Sequence, residues 1–360
     1  MRNIKKYKLN SDYTTNKKSF EYPTVSYVEE NTNVYYKEKP EVRIVTYTTT
    51  GASQQIQLVR QKDYLDYCKI VDTGEELTVT GTGALNHTFE NPGEHKVELK
   101  FKDDATTLAS GFTGCSQLTS IPDNLFSNNT AVTDFIHAFN SCHGLTSIPE
   151  SLFSHNTAVT DFRYTFANCS GLTSIPENLF NKCTAVTNFV GTFANCSGLT
   201  SIPDNLFSNN TEVTSFASTF SNCSGLTGSI PDNLFSNNTA VTDFGSTFLY
   251  CRGLTGSIPE NLFSNCTDVT SFNNTFYTCT GLTSIPANLF SNCTAVNSFN
   301  RTFAGCTGLT GNVPTDTDGT PIYNRSTPGK EGYAVVTDYG WCFSNCTGLT
   351  DYSSIPSDWK

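Results

Sequence analysis

A repeat of nearly constant length dominates the sequence from residue 115 onward. Cysteine recurs at one position of the repeat, and the steps between successive cysteines are 27, 27, 27, 27, 28, 28, 27 and 40 residues. These anchor cysteines are Cys115, Cys142, Cys169, Cys196, Cys223, Cys251, Cys279, Cys306 and Cys346. A unit of this length cannot bury its own apolar face, so its copies must stack into a continuous core. The spacing therefore predicts a repeat solenoid of about eight coils over residues 106–345.

Apolar residues recur at fixed positions in every unit and define the predicted interior of a coil. In the first unit they are Leu118, Ile121, Leu125, Phe126, Val132, Phe135, Phe139 and the next anchor, Cys142. β-Branched residues around 118–121 and 131–135 favour two short parallel strands per coil. Proline suits the first position of a helical turn, so we expect a short helical or 3-10 turn after each strand.

The remaining segments differ from the repeat. Residues 1–20 form a basic N-terminal arm, and residues 21–105 are predicted to be a β-rich attachment and capping domain. Its predicted strands lie at 22–27, 33–36, 42–46, 55–59, 77–80 and 96–101. Residues 312–332 lengthen the last complete coil as a loop. The chain then ends in a C-terminal cap, residues 346–360, with Trp359 and, just before it, Trp341 as expected capping residues.

Net negative charge is concentrated in the repeats and disfavours polyanionic partners. Residues 106–360 hold 7 Lys/Arg and 17 Asp/Glu, whereas residues 1–105 are close to neutral. An array of this charge is poorly suited to phosphate backbones or anionic lipid, so we expect no nucleic-acid partner. No run of roughly 18 apolar residues exists, so no membrane insertion is expected. The first twenty residues lack the apolar region of a secretory signal, which was either removed or is not needed.

Cysteine placement favours reduced structural thiols over disulfides. Besides the anchors, a second repeat position takes cysteine at Cys183, Cys266 and Cys293, and asparagine in other coils. A position that accepts either residue is a packing and backbone-bonding position. The sequence contains no Cys-x-x-Cys motif, so a zinc site is not expected. No cofactor is predicted.

The repeat resembles a known family. The pattern Val-Thr-Asp-Phe-x-x-Thr-Phe-x-x-Cys-x-Gly-Leu-Thr-Ser-Ile-Pro is similar to the repeat of BspA-like leucine-rich repeat surface proteins, and residues 87–99 resemble the segment that leads into such arrays. The resemblance covers about residues 85–360. It implies a leucine-rich repeat solenoid that is not catalytic and serves adhesion or protein recognition. Residues 22–36 are similar to segments of surface and virion proteins of gut Bacteroidales and their phages.

Signatures of catalysis and metal binding are weak. The sequence has no Gly-x-Ser-x-Gly, His-Glu-x-x-His or phosphate loop, so we expect no enzyme. An acidic residue follows proline in six successive units, and stacked carboxylates could bind a cation such as Ca²⁺, although an acid at the start of a helical turn explains them as well. The column consists of Asp123, Glu150, Glu177, Asp204, Asp232 and Glu260. The segment Asp316-Thr-Asp318-Gly319 resembles part of a calcium loop without its distal acid.

Variable positions within the repeat indicate the candidate binding surface. The two residues after the Phe135 position differ from coil to coil, while the residues around them are nearly constant. Arginine and tyrosine are enriched at the energetic centres of interfaces, although drift at unconstrained surface positions would also produce variation. The binding candidates are His137, Arg163, Tyr164, Tyr250, Arg252, Tyr277 and Arg301.

Together these features predict a non-enzymatic binding or adhesion protein. The leading hypothesis is a phage virion component in which the solenoid recognises a host-cell surface protein or glycan. Residues 1–40 would then attach it to another virion or surface protein by adding strands to a sheet edge. The alternatives are a structural or decorating virion protein without receptor binding, and a truncated adhesin of the bacterial cell surface. The expected location is accordingly the virion or, alternatively, the bacterial surface.

Overall fold

The computed structural model describes residues 25–30, 33–38, 42–325 and 330–360. The chain forms two compact units, Met1–Arg43 and Ile44–Lys360. In the first unit, strand β1 (Val25–Glu30) pairs antiparallel with β2 (Asn33–Glu38). This confirms the predicted pair of strands, with both reaching further along the chain than expected. The predicted basic arm, residues 1–20, lies outside the described residues.

Five further strands precede the repeats. They are β3 (Arg43–Thr49), β4 (Gln54–Val59), β5 (Leu65–Ile70), β6 (Leu85–Phe89) and β7 (Gly93–Phe101). Strands β4 and β6 form an antiparallel pair, and β5, β7 and β3 form a sheet in that order. The predicted strand at 77–80 is wrong. Glu76 forms a single bridge with Lys69, and the Leu77 N–H donates to Cys68 O, but residues 78–80 are not in a strand. Strands β5 and β6 were not predicted.

Residues of these strands occupy the place that a preceding coil would fill. Strand β8 (Leu118–Ser120), in the first coil, pairs antiparallel with β3. The Leu58 carbonyl accepts from the Cys115 thiol at 3.3 Å, as carbonyls of one coil accept from the anchor thiol of the next. The Phe101 ring packs 5.9 Å from Phe112. The core therefore continues from the strands into the repeats, and both belong to the unit Ile44–Lys360.

Parallel backbone bridges join each coil to the next. One ladder runs through the position of Asp134 in every coil, as single bridges and not as continuous strands: Thr107, Asp134, Asp161, Asn188, Ser215, Asp243, Ser271, Ser298 and Asp338. Between ladder residues the chain makes successive turns in which an N–H bonds the carbonyl three residues earlier, as in Leu125 to Pro122 and Ala138 to Phe135. The repeat fold is thus confirmed.

The expected strands and helical turns within each coil require correction. Among the described residues, the repeats contribute only three short strands: β8, β9 (Gly256–Ser257) and β10 (Leu282–Ser284), of which β9 and β10 pair in parallel. The four 3-10 helices of the described chain lie outside the repeated segments. Residues with positive φ recur at two positions of each coil and interrupt any extended or helical run in the segment after the ladder residue.

Stacked phenylalanines form the interior of the array. Three columns run along it, and rings in one column are nearly parallel from coil to coil. Successive ring centroids lie 6.0–6.3 Å apart in the column that contains Phe153. In the column that contains Phe166 they lie 5.2–5.9 Å apart. In the third column, which contains Phe162, the residue directly after the ladder residue Asp161, successive centroids lie 5.8–5.9 Å apart.

A buried ionic cluster closes the side of the last coils. Arg325, inside the predicted loop 312–332, is buried and pairs with buried Asp316. The Arg325 guanidinium donates to Cys293 O at 3.2 Å and to Phe290 O at 2.9 Å. In the earlier coils an asparagine side chain makes the equivalent pair of bonds, as Asn210 does to Phe180 O and Cys183 O. Arg325 in the loop therefore makes the two hydrogen bonds to the preceding coil that an asparagine such as Asn210 makes elsewhere.

The two tryptophans of the C-terminal segment have different environments. Trp359 is buried, stacks on Tyr339 at 4.8 Å and accepts a hydrogen bond at its carbonyl from the Phe343 N–H, as a following coil would. Trp341, by contrast, is 53% exposed. The expectation that Trp341 caps the core is wrong, because its backbone holds it on the outside of the ladder. No helix in the described segments is long and apolar enough to span a membrane.

Candidate binding surface

One face of the array is built by the segment that follows each ladder residue, and we call it the ladder face. In the first complete coil it comprises residues 134–143. Alternate N–H groups on this segment donate to the next coil, as in Phe135 to Asp161 O, His137 to Arg163 O and Phe139 to Thr165 O. The backbone of the face is therefore fixed by regular hydrogen bonds, and coils differ mainly in the side chains that they present.

Two columns of the ladder face have positive φ in every coil. The first column contains His137, Tyr164, Gly191, Ser218, Ser246, Asn274, Arg301 and Trp341. The second contains Ser141, Asn168, Asn195, Asn222, Tyr250, Thr278, Gly305 and Asn345. Glycine and asparagine tolerate this conformation best, and a bulky side chain there costs roughly 1 kcal/mol. Tyrosine, tryptophan and arginine are consequently the costly choices at these positions.

The first cluster on the ladder face joins three of the predicted binding residues. The His137 and Tyr164 rings stack with their centroids 5.0 Å apart. Arg163 Nε donates to Asp161 Oδ2 at 2.8 Å. Partial burial, assisted by the charge of Arg163, lowers the pKa of His137 below its usual value. A neutral, stacked imidazole is therefore favoured here at neutral pH.

Gly191 allows the Tyr164 ring to lie flat on the next coil. A Cβ atom at Gly191 would come within 2.4 Å of two ring carbons of Tyr164. The ring is thus held between His137 on one side and the Gly191 backbone on the other. This arrangement fixes the tyrosine before any partner arrives, which lowers the entropy cost of binding.

The second cluster joins the other three predicted residues of the middle coils. The Tyr250 and Tyr277 rings meet edge to face with centroids 5.3 Å apart, and the Arg252 guanidinium lies 5.4 Å from the Tyr250 ring centroid. On the side of the preceding coil, a shallow depression of about 380 Å³ is lined by Asn222, Ser224, Tyr250 and Arg252. The depression forms because Tyr250 and Arg252 are larger than Asn222 and Ser224, which occupy the same positions in the preceding coil.

The third cluster pairs a predicted residue with one that the sequence did not indicate as a binding residue. The Arg301 guanidinium lies 4.8 Å from the ring centroid of Trp341. Trp341 occupies the same repeat position as His137 and Tyr164, but the insertion before Cys346 obscures this alignment in the sequence. Aligning the coils backwards from Cys346 would have revealed it. The seven predicted residues therefore lie on one face in three separate clusters.

Charge on the ladder face differs from that of the array as a whole. Three of the seven cations in residues 106–360 are on this face: Arg163, Arg252 and Arg301. Arg163 pairs with Asp161, whereas within the described residues Arg252 and Arg301 form no ion pair. Elsewhere Arg325 and Lys330 pair with Asp316 and Asp318. In the described part of the chain, the face thus offers two guanidinium groups that lie over aromatic rings and form no ion pair.

The acidic column predicted as a weak metal candidate is exposed along its length and is bonded to the neighbouring coil in two places. Asn178 donates to Glu150 at 2.5 Å, and Asn205 donates to Glu177 at 3.1 Å. The segment 316–319 does not form a calcium loop, because cationic side chains hold Asp316 and Asp318. Across the described ranges, no group of three or more His, Cys, Asp or Glu residues is arranged to hold a metal ion.

An acid–histidine–hydroxyl cluster lies among the N-terminal strands. His95 Nδ1 is 3.3 Å from Asp72 Oδ2, and His95 Nε2 is 3.0 Å from Thr49 Oγ1. Thr49 is 2% exposed and also bonds Asn91 O, which lies 3.1 Å from His95 Nε2 as well. The Thr49 hydroxyl is therefore inaccessible to a substrate, and its hydrogen bond to Asn91 O joins the turn at Asn91 to strand β3. No sequence motif indicated this cluster.

All fourteen cysteines are buried and free. Every anchor thiol after Cys115 donates to a phenylalanine carbonyl of the preceding coil, as Cys169 does to Phe139 O at 3.1 Å. Burial raises the pKa of Cys169 and of Cys183 to about 12. A thiol that keeps its proton is a poor nucleophile and metal ligand, so these side chains act as small apolar residues.

Comparison with known proteins identifies the repeat. The family model for the BspA type leucine rich repeat region matches residues 108–297 in six copies, which is more than half of the chain. The matched residues include the first two clusters of the ladder face. No curated protein matches the sequence.

Proposed function

The chain belongs to the BspA type leucine-rich repeat family, whose repeats indicate protein binding or adhesion in general, and from this we propose that the ladder face is its recognition surface. The residues of the three clusters would contact the partner. The stacked coils would act as the rigid solenoid that spaces them.

One observation carries this proposal: bulky side chains occupy backbone positions that favour glycine or asparagine. Drift without constraint would leave such positions to residues that tolerate positive φ, since each bulky residue there costs roughly 1 kcal/mol. Tyr164, Tyr250, Arg301 and Trp341 all have φ between 52° and 59°. Their side chains meet in pairs on one face, where aromatic and arginine residues supply binding energy.

The biological context that we propose is a phage virion, with a host-cell surface protein or glycan as the target. The resemblance of residues 22–36 to surface and virion proteins of gut Bacteroidales and their phages supports this context. A β-rich attachment domain, residues 21–105, would hold the array, and residues 1–40 would bind another virion or surface protein. Most of residues 1–40 lie outside the described residues.

We propose a non-enzymatic role. The one acid–histidine–hydroxyl cluster described above is closed to substrates, and the thiols hold their protons. The ladder face offers rings, guanidinium groups and small polar side chains, which suit recognition more than bond cleavage.

The test measures binding of the fluorescently labelled full chain to intact bacterial cells. A triple variant, Tyr164→Asn, Tyr250→Asn and Trp341→Asn, uses a residue found at the same positions in other coils. It should lose at least about tenfold in cell binding, because three contact clusters are removed. The matched control, Lys182→Ala, Thr184→Ala and Thr239→Ala, changes three exposed residues elsewhere and should bind as the unaltered protein does. Equal binding by both variants would refute the assignment of the face.

A further inference from the structure

The depression beside Tyr250 has the chemistry of a binding subsite. Asn222 and Ser224 of one coil form one side, and Tyr250 and Arg252 of the next coil form the other. Tyr277 supports the Tyr250 ring from the following coil, so the ring keeps its orientation. Tyr250, at φ 59°, departs from the Asn and Ser residues that hold this positive-φ position in the four preceding coils. The cluster is therefore both preformed and costly.

Arg252 points to an anionic group. Residues 106–360 hold 17 acidic residues, yet within the described residues Arg252 is paired with none of them and contacts the Tyr250 ring. An exposed guanidinium keeps its full hydrogen-bonding capacity for carboxylate or sulfate oxygens. Because screening limits charge effects to about 8 Å at physiological salt, acids on other faces weaken this attraction little.

The other groups in the depression favour a sugar over an acidic peptide. Protein partners need an apolar core in their interface, and the large apolar side chains exposed in the described chain are Ile44, Val71, Val335 and Trp341, none of them here. A pyranose ring instead presents a face of C–H bonds that packs on tyrosine, while its hydroxyls bond amide and hydroxyl groups. Asn222 and Ser224 supply those groups.

We propose that this depression is a subsite for an acidic saccharide. The sugar ring packs on Tyr250, its carboxylate or sulfate accepts hydrogen bonds from the Arg252 guanidinium, and its hydroxyls bond Asn222 and Ser224. Arg301 over Trp341 repeats the pairing of an arginine with an aromatic ring two coils later on the same face, and serves as a second contact for a longer acidic chain. This inference rests on the proposed function of the ladder face.

The experiment is a saturation-transfer NMR titration of the full chain with matched sugars. Galacturonic acid is compared with galactose for the carboxylate, and galactose 6-sulfate with galactose for the sulfate. In at least one pair the acidic member should bind at least about tenfold more tightly, and its affinity should fall as salt is raised. The pair that responds identifies the anion. Equal binding within both pairs, or no binding of either acidic probe up to roughly 10 mM, overturns the proposal.

Variants show whether the depression is the site. Arg252→Gln should weaken the acidic probe about ten- to a hundredfold, the loss expected for a hydrogen bond to a charged group. Tyr250→Phe should retain binding and Tyr250→Asn should lose it, while Lys182→Gln, an exposed cation elsewhere, should have no effect. Circular dichroism spectra identical to that of the unaltered protein show that each variant is folded. Unchanged affinity of Arg252→Gln overturns the assignment.

The two proposals fail in different ways. If the triple variant loses cell binding while Arg252→Gln keeps it and no acidic probe binds, the ladder face is the recognition surface and the saccharide subsite is wrong. If the acidic probe binds at Arg252 but the triple variant still binds cells, the subsite stands and the recognition surface for cells lies elsewhere.

Discussion

Substitution of Asn210 tests how much side-chain hydrogen bonds between neighbouring coils contribute to stability. It is buried, and its Nδ2 donates to Phe180 O at 3.2 Å and to Cys183 O at 2.9 Å in the preceding coil. Its Oδ1 is buried without a hydrogen-bond partner. Cysteine takes the same position at Cys183, where the thiol lies 3.7 Å from Phe153 O and 3.6 Å from Asn156 O. The two residues therefore bridge equivalent pairs of carbonyls in different ways.

Three substitutions at Asn210 should separate these effects. Asn210→Ala leaves two buried carbonyls without their donor and should cost about 2–4 kcal/mol of unfolding free energy. Asn210→Cys keeps a weak donor between the carbonyls and removes the unsatisfied Oδ1, so its cost should stay below about 1 kcal/mol. Asn210→Asp places a carboxylate against two carbonyls and should cost more than about 3 kcal/mol.

The assay is urea unfolding of the full chain in reductant, followed by circular dichroism, with the m value checked for each variant because a repeat array can unfold in parts. The order of cost should be Asp, then Ala, then Cys. An equal cost for Asn210→Cys and Asn210→Ala would contradict a bridging role of the Cys thiol. A cost below about 0.5 kcal/mol for Asn210→Ala would show that the Nδ2 bonds contribute little.

Three further predictions concern the core, the ionic cluster and the thiols. Phe193→Ala should cost about 3–5 kcal/mol because its ring is buried between two others, whereas Ser218→Ala, on the ladder face, should be nearly silent in the same urea assay. Arg325→Ala leaves the buried Asp316 carboxylate without its guanidinium partner and should cost about 3–5 kcal/mol of unfolding free energy. Adding Asp316→Ala removes the buried charge and should recover part of this loss. A double variant as unstable as Arg325→Ala alone would contradict the ion-pair explanation. Thiol titration without reductant should find few reactive cysteines in the native protein and close to fourteen after unfolding, and a total of only two or four would mean disulfides. Burial raises the pKa of Cys169 from 9.0 to about 12, so the folded state retains a proton that the unfolded chain loses. That stabilisation is complete below about pH 9 and is lost as pH rises towards 12, at about 1.4 kcal/mol per pH unit for each such thiol, and urea midpoints that stay constant up to pH 11 would contradict it.

The repeat made the interior of the array predictable. Leu118, Phe126 and Phe139 were assigned to the core because their apolar character recurs at a fixed period, and all three are buried. The local backbone could not be predicted from the same pattern. Tyr164 and Trp341 both have positive φ, and neither residue type signals that conformation.

The candidate surface was only partly visible in the sequence. Variation between coils identified His137, Arg163 and Tyr164, but only the fold shows that the rings stack and that Gly191 makes room for them. Trp341 was assigned to the cap because it precedes the last anchor and is one of two tryptophans. The buried contacts of His95 and Arg325 join residues that are distant in sequence, and no spacing rule brings such residues together.

The most direct measurement is the unfolding free energy of the triple variant Tyr164→Asn, Tyr250→Asn and Trp341→Asn. If these residues serve recognition, the relief of positive-φ strain, roughly 1 kcal/mol per site, offsets the lost ring and cation contacts of about 0.5–1.5 kcal/mol each. The variant should then be as stable as the unaltered protein, within about 1 kcal/mol, although it no longer binds cells. A loss of more than about 3 kcal/mol would show that the three side chains hold the coils together, and would contradict the assignment of the ladder face as a recognition surface.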